Sequence, residues 1–320
     1  MELSEYIETT ARSIDTMIDR YFVDTVGELN QASAHLLTAG GKRLRPAVVL
    51  LAADAVKPNS SSDLMPAALA LELTHTFTLI HDDIMDDDTL RRGVPTVHSK
   101  WGMPTGILAG DVLYAKAFDF LIRSTATDEA KSRAVSMLAI ACAELCHGQH
   151  MDMTFEKRDD VDEGEYLEMV RKKTGALYAA AAGIGAILAG GNARQVKALY
   201  TYGLNIGMAF QIQDDVIDLL TPPEKSGKDR ASDLREGKQT LIWIKAREKG
   251  IDLTKYKRNL TGAEIDAAIR ELEDAGVIAD VTATANDLVA TSVKHIAILP
   301  PSQERDLLRQ IGEYFVTRSF

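Results

Sequence analysis

Leu69-Ala-Leu-Glu-Leu-Thr-His-Thr-Phe-Thr-Leu-Ile-His-Asp-Asp-Ile-Met-Asp86 is an apolar, helix-forming run that ends in a cluster of aspartates. At 3.6 residues per turn, Asp82 and Asp86 lie one above the other on one helix face. The same form returns as Phe210-Gln-Ile-Gln-Asp-Asp-Val-Ile-Asp218, where Asp214 and Asp218 repeat the spacing. Like charges so placed destabilise an isolated helix by roughly 0.2–0.5 kcal/mol per pair. Helix breakers follow both clusters, Gly93 and Pro95 after the first and Pro222-Pro223 after the second. Carboxylates therefore crowd the negative ends of two helix dipoles, with Asp87 and Asp88 added to the first. A chain that does this twice needs external positive charge, and clustered oxygen ligands without His or Cys suit a hard divalent ion, Mg²⁺ above all.

Helical periodicity extends outward from these two runs to both ends of the chain, and no alternating run of β-branched residues bounded by hairpin turns is evident. The reading is all-α. Helices are expected over about 4–37, 44–56, 64–88, 105–123, 128–154, 163–175, 176–190, 193–220, 239–249, 262–275, 277–297 and 301–317. Breaks at Gly40-Gly41, Pro58, Gly93, Gly190-Gly191 and Pro222 to Gly227 are too short for interdomain linkers. A single helical domain over residues 1–320, a bundle around a central cavity, is the expected organisation.

The chain's 320 residues are 46% hydrophobic, ample for a core. Lys and Arg number 36 against 47 Asp and Glu, a formal charge of −11 that repels nucleic acid and anionic lipid. Nucleic acid is therefore not an expected partner. Cys142 and Cys146, one helical turn apart, form no disulfide framework and fit a reducing, cytoplasmic setting. Met1 to Arg20 carries no apolar stretch of the secretory kind. Thr174 to Ala193 is uncharged but mostly Ala and Gly, which fits a closely packed buried helix better than a membrane span. With His147 and His150 the two cysteines mimic metal-ligand spacing, but a zinc site is not expected there.

Although the chain is acidic, its bases are grouped. Gly40-Gly41-Lys42-Arg43-Leu44-Arg45-Pro46 places three cations at a loop-to-helix junction, where Pro46 suits the first turn and open amides favour an anion. Arg91-Arg92-Gly93 follows the first aspartate cluster and either neutralises that helix end or binds an anion. Lys172-Lys173-Thr174-Gly175, Lys228 and Gly237-Lys238-Gln239-Thr240 supply the rest. Arginine forks match phosphate oxygens two at a time, and lysines act as mobile point charges. Metals on aspartates ringed by such cations make a site for a diphosphate, and two basic groups suggest two diphosphates.

Taken in order, six segments resemble the trans-type isoprenyl diphosphate synthases. They are Gly40-Gly41-Lys42, Leu79 to Asp86, Leu90 to His98, Lys173 to Leu177, Phe210 to Asp218 and Ser232 to Thr240. The resemblance covers essentially the whole chain. It implies a prenyltransferase that condenses isopentenyl diphosphate with an allylic diphosphate. In this family Asp82, Asp86 and Asp214 would lead the ligands of three Mg²⁺ ions, supported by Asp83 and Asp218. Arg91, Lys173, Lys228 and Lys238 would hold the allylic diphosphate, and Lys42, Arg45, His75 and Arg92 isopentenyl diphosphate. Thr174 and Gln211 would set oxygen dipoles near the allylic cation. The family is typically homodimeric. Phe at position 77, the small Thr78 and an uninterrupted first motif look like the geranylgeranyl type, with Phe77 as the floor that stops elongation. Farnesyl and longer-chain synthases are the nearest alternatives. Two others are a metal phosphohydrolase built on His35, His81 and Asp82, and a non-catalytic subunit of a heteromeric synthase. Gln149 and Asp152 belong to a further family motif and receive no step.

Overall fold

The computed structural model describes residues 2–23, 26–221, 230–258 and 260–318. The fold is all-α. In chain order the helices are α1 (Leu3–Phe22), α2 (Glu28–Thr38), α3 (Leu44–Val56), α4 (Met65–Met85), α5 (Val97–Trp101), α6 (Met103–Ile122), α7 (Asp128–Phe155), α8 (Glu163–Val170), α9 (Ala176–Leu188) and α10 (Ala193–Leu220). After these come α11 (Ser232–Glu236), α12 (Leu241–Glu248), α13 (Gly262–Asp274), α14 (Val277–Ile296) and α15 (Gln303–Thr317). A wide π turn, Arg171–Gly175, joins α8 to α9.

Three expectations need correction. The run expected over 4–37 is two helices: α1 stops at Val23, whose backbone is extended (φ −85°, ψ 153°). The sequence there, Val23-Asp-Thr-Val-Gly27, gathers β-branched residues and a glycine, poor helix formers all. Helix α4 ends at Met85, and the chain then forms a two-stranded antiparallel hairpin, β1 (Leu90–Arg91) and β2 (Val94–Pro95), with Leu90 opposite Pro95 and Arg91 opposite Val94. Its turn residues Arg92 and Gly93 have φ of 52° and 76°. That pair of positive values marks the tight turn whose twist suits a hairpin. Strands of two residues are too short to show a period, so the sequence hid them. Helices α5 and α11, five residues each, were missed for the same reason.

Two compact units emerge from the contacts. One comprises residues up to Ile140 with Ala180–Tyr200 and Ile298–Leu308; the other comprises Ala141–Ala179, Thr201–Ala297 and the residues from Arg309 on. In the first, α4 packs most extensively on α6 and also on α3. It buries Leu69, Leu71, Leu73, Phe77 and Ile80. Each such side chain contributes about 1.5–3 kcal/mol when fully removed from water, enough to outweigh the repulsion at the helix end. In the second unit Tyr166, Met169, Ile212, Val216, Leu219, Leu234 and Trp243 belong to one core cluster. Among the described residues no helix is long and apolar enough to cross a membrane. Cys142 is buried, Cys146 is exposed, and both are free thiols.

Candidate active site

In the first unit the end of α4 separates its aspartates by face. Asp82 is half-buried and Asp86 exposed, and the Asp86 N–H donates to the Asp82 carbonyl at 2.8 Å. Asp83, between them, is fully buried. It continues the inward row Leu69, Leu73, Thr76 and Ile80, at the spacing of a helix's core face. Arg91 donates from Nε to Asp83 Oδ1, and from Nη2 to Asp88 at 3.3 Å. Burial outweighs this cation and pushes the Asp83 carboxyl up to about 6. Its Oδ2 is buried with no hydrogen-bond partner, an acceptor that only a water or a ligand's donor would satisfy.

Two turns earlier on α4, His75 is held neutral, well below the ordinary histidine range, by burial and by Arg45, Arg92, Arg91 and Arg43. The cations around it differ in kind. Arg43, in the left-handed conformation at the head of α3 (φ 49°), is buried and bound to Glu72 at 2.6 Å, Asp15 at 2.9 Å and the Leu37 carbonyl. It shapes the loop and brings its own counter-charges. Arg92 donates instead to the carbonyls of Leu36 (3.2 Å) and Gly40. Burial, the largest cause, lowers its pKa despite Glu72. Carbonyls fix its position without cancelling its charge. Arg91, by contrast, sits against the carboxylates of the helix end, on Asp83 and Asp88.

Further support for α4 comes from histidine. His81 Nε2 lies 3.1 Å from the Ile107 carbonyl, and His35 Nε2 lies 2.7 Å from that of Pro95. Both imidazoles tie helices to neighbouring backbone. Phe77 packs edge-on against Tyr114, ring centroids 5.1 Å apart, and Tyr114 against Phe118 at 5.2 Å.

In the second unit the π turn carries Lys173 and Thr174. A Cβ on Gly148 of α7 would come within 2.3 Å of the Lys173 backbone nitrogen. Only glycine admits that approach, and one turn on, Asp152 pairs with the Lys173 ammonium. Thr174 Oγ1 donates to Gln211 Oε1 at 2.9 Å, Gln211 Nε2 donates to Asp215 Oδ1 at 3.0 Å, and Tyr166 OH donates to Asp215 Oδ2 at 2.6 Å. Asp215 is buried, and its carboxyl is raised well above the usual range by that burial and by Asp233, against the pull of its two donors.

The outer aspartates of the second motif part in the same way. Asp214 is 39% exposed and receives Arg318 Nη2 on Oδ1 at 2.6 Å. Asp218 accepts from Ser232 Oγ at 2.6 Å and from the Asp233 N–H at 3.1 Å, so it holds the start of α11 in place. Lys238 follows that helix, 3.7 Å from Asp233 and 3.4 Å from Glu236. Asp233 itself is pushed up to about 7, chiefly by burial and then by Asp218. Lys228 lies outside the described residues.

The donor chemistry fits a hard cation. The carboxylates are all oxygen ligands, and the orphaned Asp83 Oδ2 lacks a donor. Among the described residues no three His, Cys, Asp or Glu side chains converge as a cage, and Mg²⁺ takes one or two carboxylates with waters and substrate phosphates. Five contributors were not assigned a role from sequence: Asp152, Asp215, Asp233, Tyr166 and Arg318. The first three lie within the motifs, whereas Tyr166 and Arg318 gave no signal.

Residues 26–274 match the family model described as polyprenyl synthetase. A geranylgeranyl diphosphate synthase of Methanosarcina mazei is 47% identical over 322 residues, covering 100% of this chain and 99% of that protein. A geranylfarnesyl diphosphate synthase of Natronomonas pharaonis is also 47% identical, over 91% of this chain and 90% of that one. The solved structure of a geranylgeranyl pyrophosphate synthetase from Geoglobus acetivorans superposes with a TM-score of 0.91 at 43% identity, covering 98% of this chain and 99% of that chain. With a family model over most of its length and relatives this similar from end to end, the chain belongs to the polyprenyl synthetase family.

Proposed function

We propose that this prenyltransferase condenses isopentenyl diphosphate with allylic diphosphates in the presence of Mg²⁺ and releases geranylgeranyl diphosphate as its main product. The observation that carries the reading is on α4. One helix bears a neutral histidine among arginines and, two turns on, ends in outward aspartates. A polyanion's cradle and a divalent ion's ligands thus share one rigid element.

Asp82, Asp86 and Asp214 are the leading candidates to hold three Mg²⁺ ions, with Asp83 supporting through water and Asp218 through the α11 segment. When bound, the ions supply positive charge to the departing diphosphate. Lys173, Lys238, Lys228 and Arg91 share the allylic diphosphate's charge, while Lys42, Arg45, His75 and Arg92 orient isopentenyl diphosphate. A neutral His75 donates one hydrogen bond to a phosphate oxygen without adding repulsion to Arg92. The Thr174 hydroxyl donates its hydrogen bond to Gln211, so its lone pairs remain for the cation left when the allylic C–O bond breaks. Such preoriented dipoles stabilise developing charge at no reorganisation cost. The isopentenyl double bond forms the new C–C bond, and the proton lost afterwards passes to the released diphosphate. No side-chain base is needed.

Phe77, backed by Tyr114, supports a floor that stops growth at C20. The geranylfarnesyl relative at equal identity makes C25 the nearest alternative. Free thiols support a cytoplasmic setting. Exposed Met103, Ile107, Leu108 and Ile122 on α6, with Ile140 on α7, support a homodimer. The deciding assay supplies purified protein and Mg²⁺ with labelled isopentenyl diphosphate and each of the C5, C10 and C15 allylic diphosphates, and measures product chain length. Condensation with a C20 end point is expected. Failure with every starter refutes the substrate assignment, and a C15 or C25 end point refutes the product.

A further inference from the structure

Arg318 follows α15 and reaches the second aspartate motif on α10. Its Nη2 lies 2.6 Å from Asp214 Oδ1 and 3.0 Å from the Phe210 carbonyl, and its Nε donates to the Phe315 carbonyl at 3.2 Å. The guanidinium carbon sits 3.7 Å over the Phe210 ring, and its own carbonyl accepts from Gln213 Nε2 at 3.4 Å. The side chain is only 10% exposed, against 39% for Asp214. Most of what holds Arg318 is therefore backbone and ring, independent of the carboxylate it touches.

We propose that Arg318 is the resident counter-cation of Asp214 and competes with the divalent ion for it. The proposal rests on the reading of Asp214 as a metal ligand. A carboxylate already paired with a guanidinium attracts an ion less strongly, because the ion stands close to a second positive group. Coulomb repulsion at such separations is appreciable even when screened. Because carbonyls and Phe210 hold Arg318 in place, it does not drift away as a surface lysine would. Metal-free, the arrangement keeps α15 joined to α10 and offsets the like charges of the motif. Metal-loaded, the Asp214 contact weakens while the backbone contacts stay, so the cation sets how much Mg²⁺ the motif requires.

The test measures Mn²⁺ affinity in the presence of inorganic diphosphate, from the electron paramagnetic resonance signal of free Mn²⁺, and melting temperature with and without metal. Arg318→Gln keeps a hydrogen-bond donor and removes the charge, and is expected to tighten Mn²⁺ binding about five-fold. Arg318→Lys keeps the charge and should bind within about two-fold of the unaltered protein. The melting temperature of Arg318→Gln should fall in the metal-free protein and recover at saturating Mn²⁺, whereas a purely structural role lowers it equally in both. Unchanged or weaker Mn²⁺ binding by Arg318→Gln overturns the competition. Asp214→Asn separates the two ideas: if it leaves Mn²⁺ binding intact, Asp214 is not a ligand and the proposal falls with that reading. If it weakens binding while Arg318→Gln changes nothing, only the proposal falls.

Discussion

Adjacent aspartates in each motif do opposite things, and single-atom changes expose the difference. Tyr166→Phe removes the donor to Asp215 Oδ2 and leaves a buried acceptor unmet, a cost of about 1–3 kcal/mol. Asp215, left with Gln211 as its remaining donor, then fixes Gln211 and the Thr174 hydroxyl less firmly. Turnover should drop roughly ten-fold, the effect of about 1.4 kcal/mol on a barrier, with KM for both substrates nearly unchanged. Steady-state kinetics beside urea unfolding decides it: lost stability with intact turnover would reduce Tyr166 to a structural bolt. His75 makes a pH prediction. Unfolded, it takes a proton near the ordinary 6.5, whereas folded it resists protonation. Its contribution to stability is therefore complete above that pH and is lost as pH falls toward the depressed folded value. His75→Gln should flatten the fall in unfolding free energy between about pH 7.5 and 5.5. The motif aspartates were legible as a group, but which of them face inward was not. For Asp83 the signal existed, since it extends the row Leu73, Thr76 and Ile80. Nothing in the sequence could tell that Arg43, beside Lys42 and Arg45, would be consumed by Glu72 and Asp15, because those partners come from distant positions.

In the proposed function α4 carries both binding and product length, and its Phe77 is the point where the second should be altered without the first. Phe77→Ser removes a ring packed on Tyr114. The product should lengthen from C20 toward C25 and beyond, with condensation rate retained, as read by chromatography of the dephosphorylated products. Melting temperature should fall as well, since an emptied aromatic site costs about 3–5 kcal/mol where the surroundings do not collapse. An unchanged product spectrum would refute the floor. Long helices such as α4, α6 and α10 were plain in the sequence because their apolar period persists over many turns. The π turn was not. Tyr166 and Thr174 both reach α10, at Asp215 and Gln211, one turn apart on that helix. Two α-helical turns cover roughly seven residues, slightly fewer than the separation of positions 166 and 174. The wide turn absorbs the surplus, a local adjustment that no propensity scale contains.

For the whole chain, composition left the self-association surface undecided, and the described residues supply a candidate in α6. Light scattering should give near twice the 34.9 kDa of one chain. Ile107→Glu combined with Leu108→Glu should halve that mass, whereas a monomer in the unaltered protein would leave the exposed residues of α6 without this explanation. The all-α class was legible because helical periodicity runs end to end, while the grouping of segments into units was not, being set by contacts between residues far apart in the chain. That grouping bears on how the protein is made. The first unit draws on residues up to Ile140, then on Ala180–Tyr200, then on Ile298–Leu308. A ribosome adding about 5–20 residues per second needs roughly ten to thirty seconds to travel from the end of the first segment to the last. Throughout that interval α4 and α6 are already synthesised, while the unit they belong to lacks its final piece. The nascent chain therefore carries this unit incomplete throughout that interval, and neither unit can be obtained by cutting the gene at a single point.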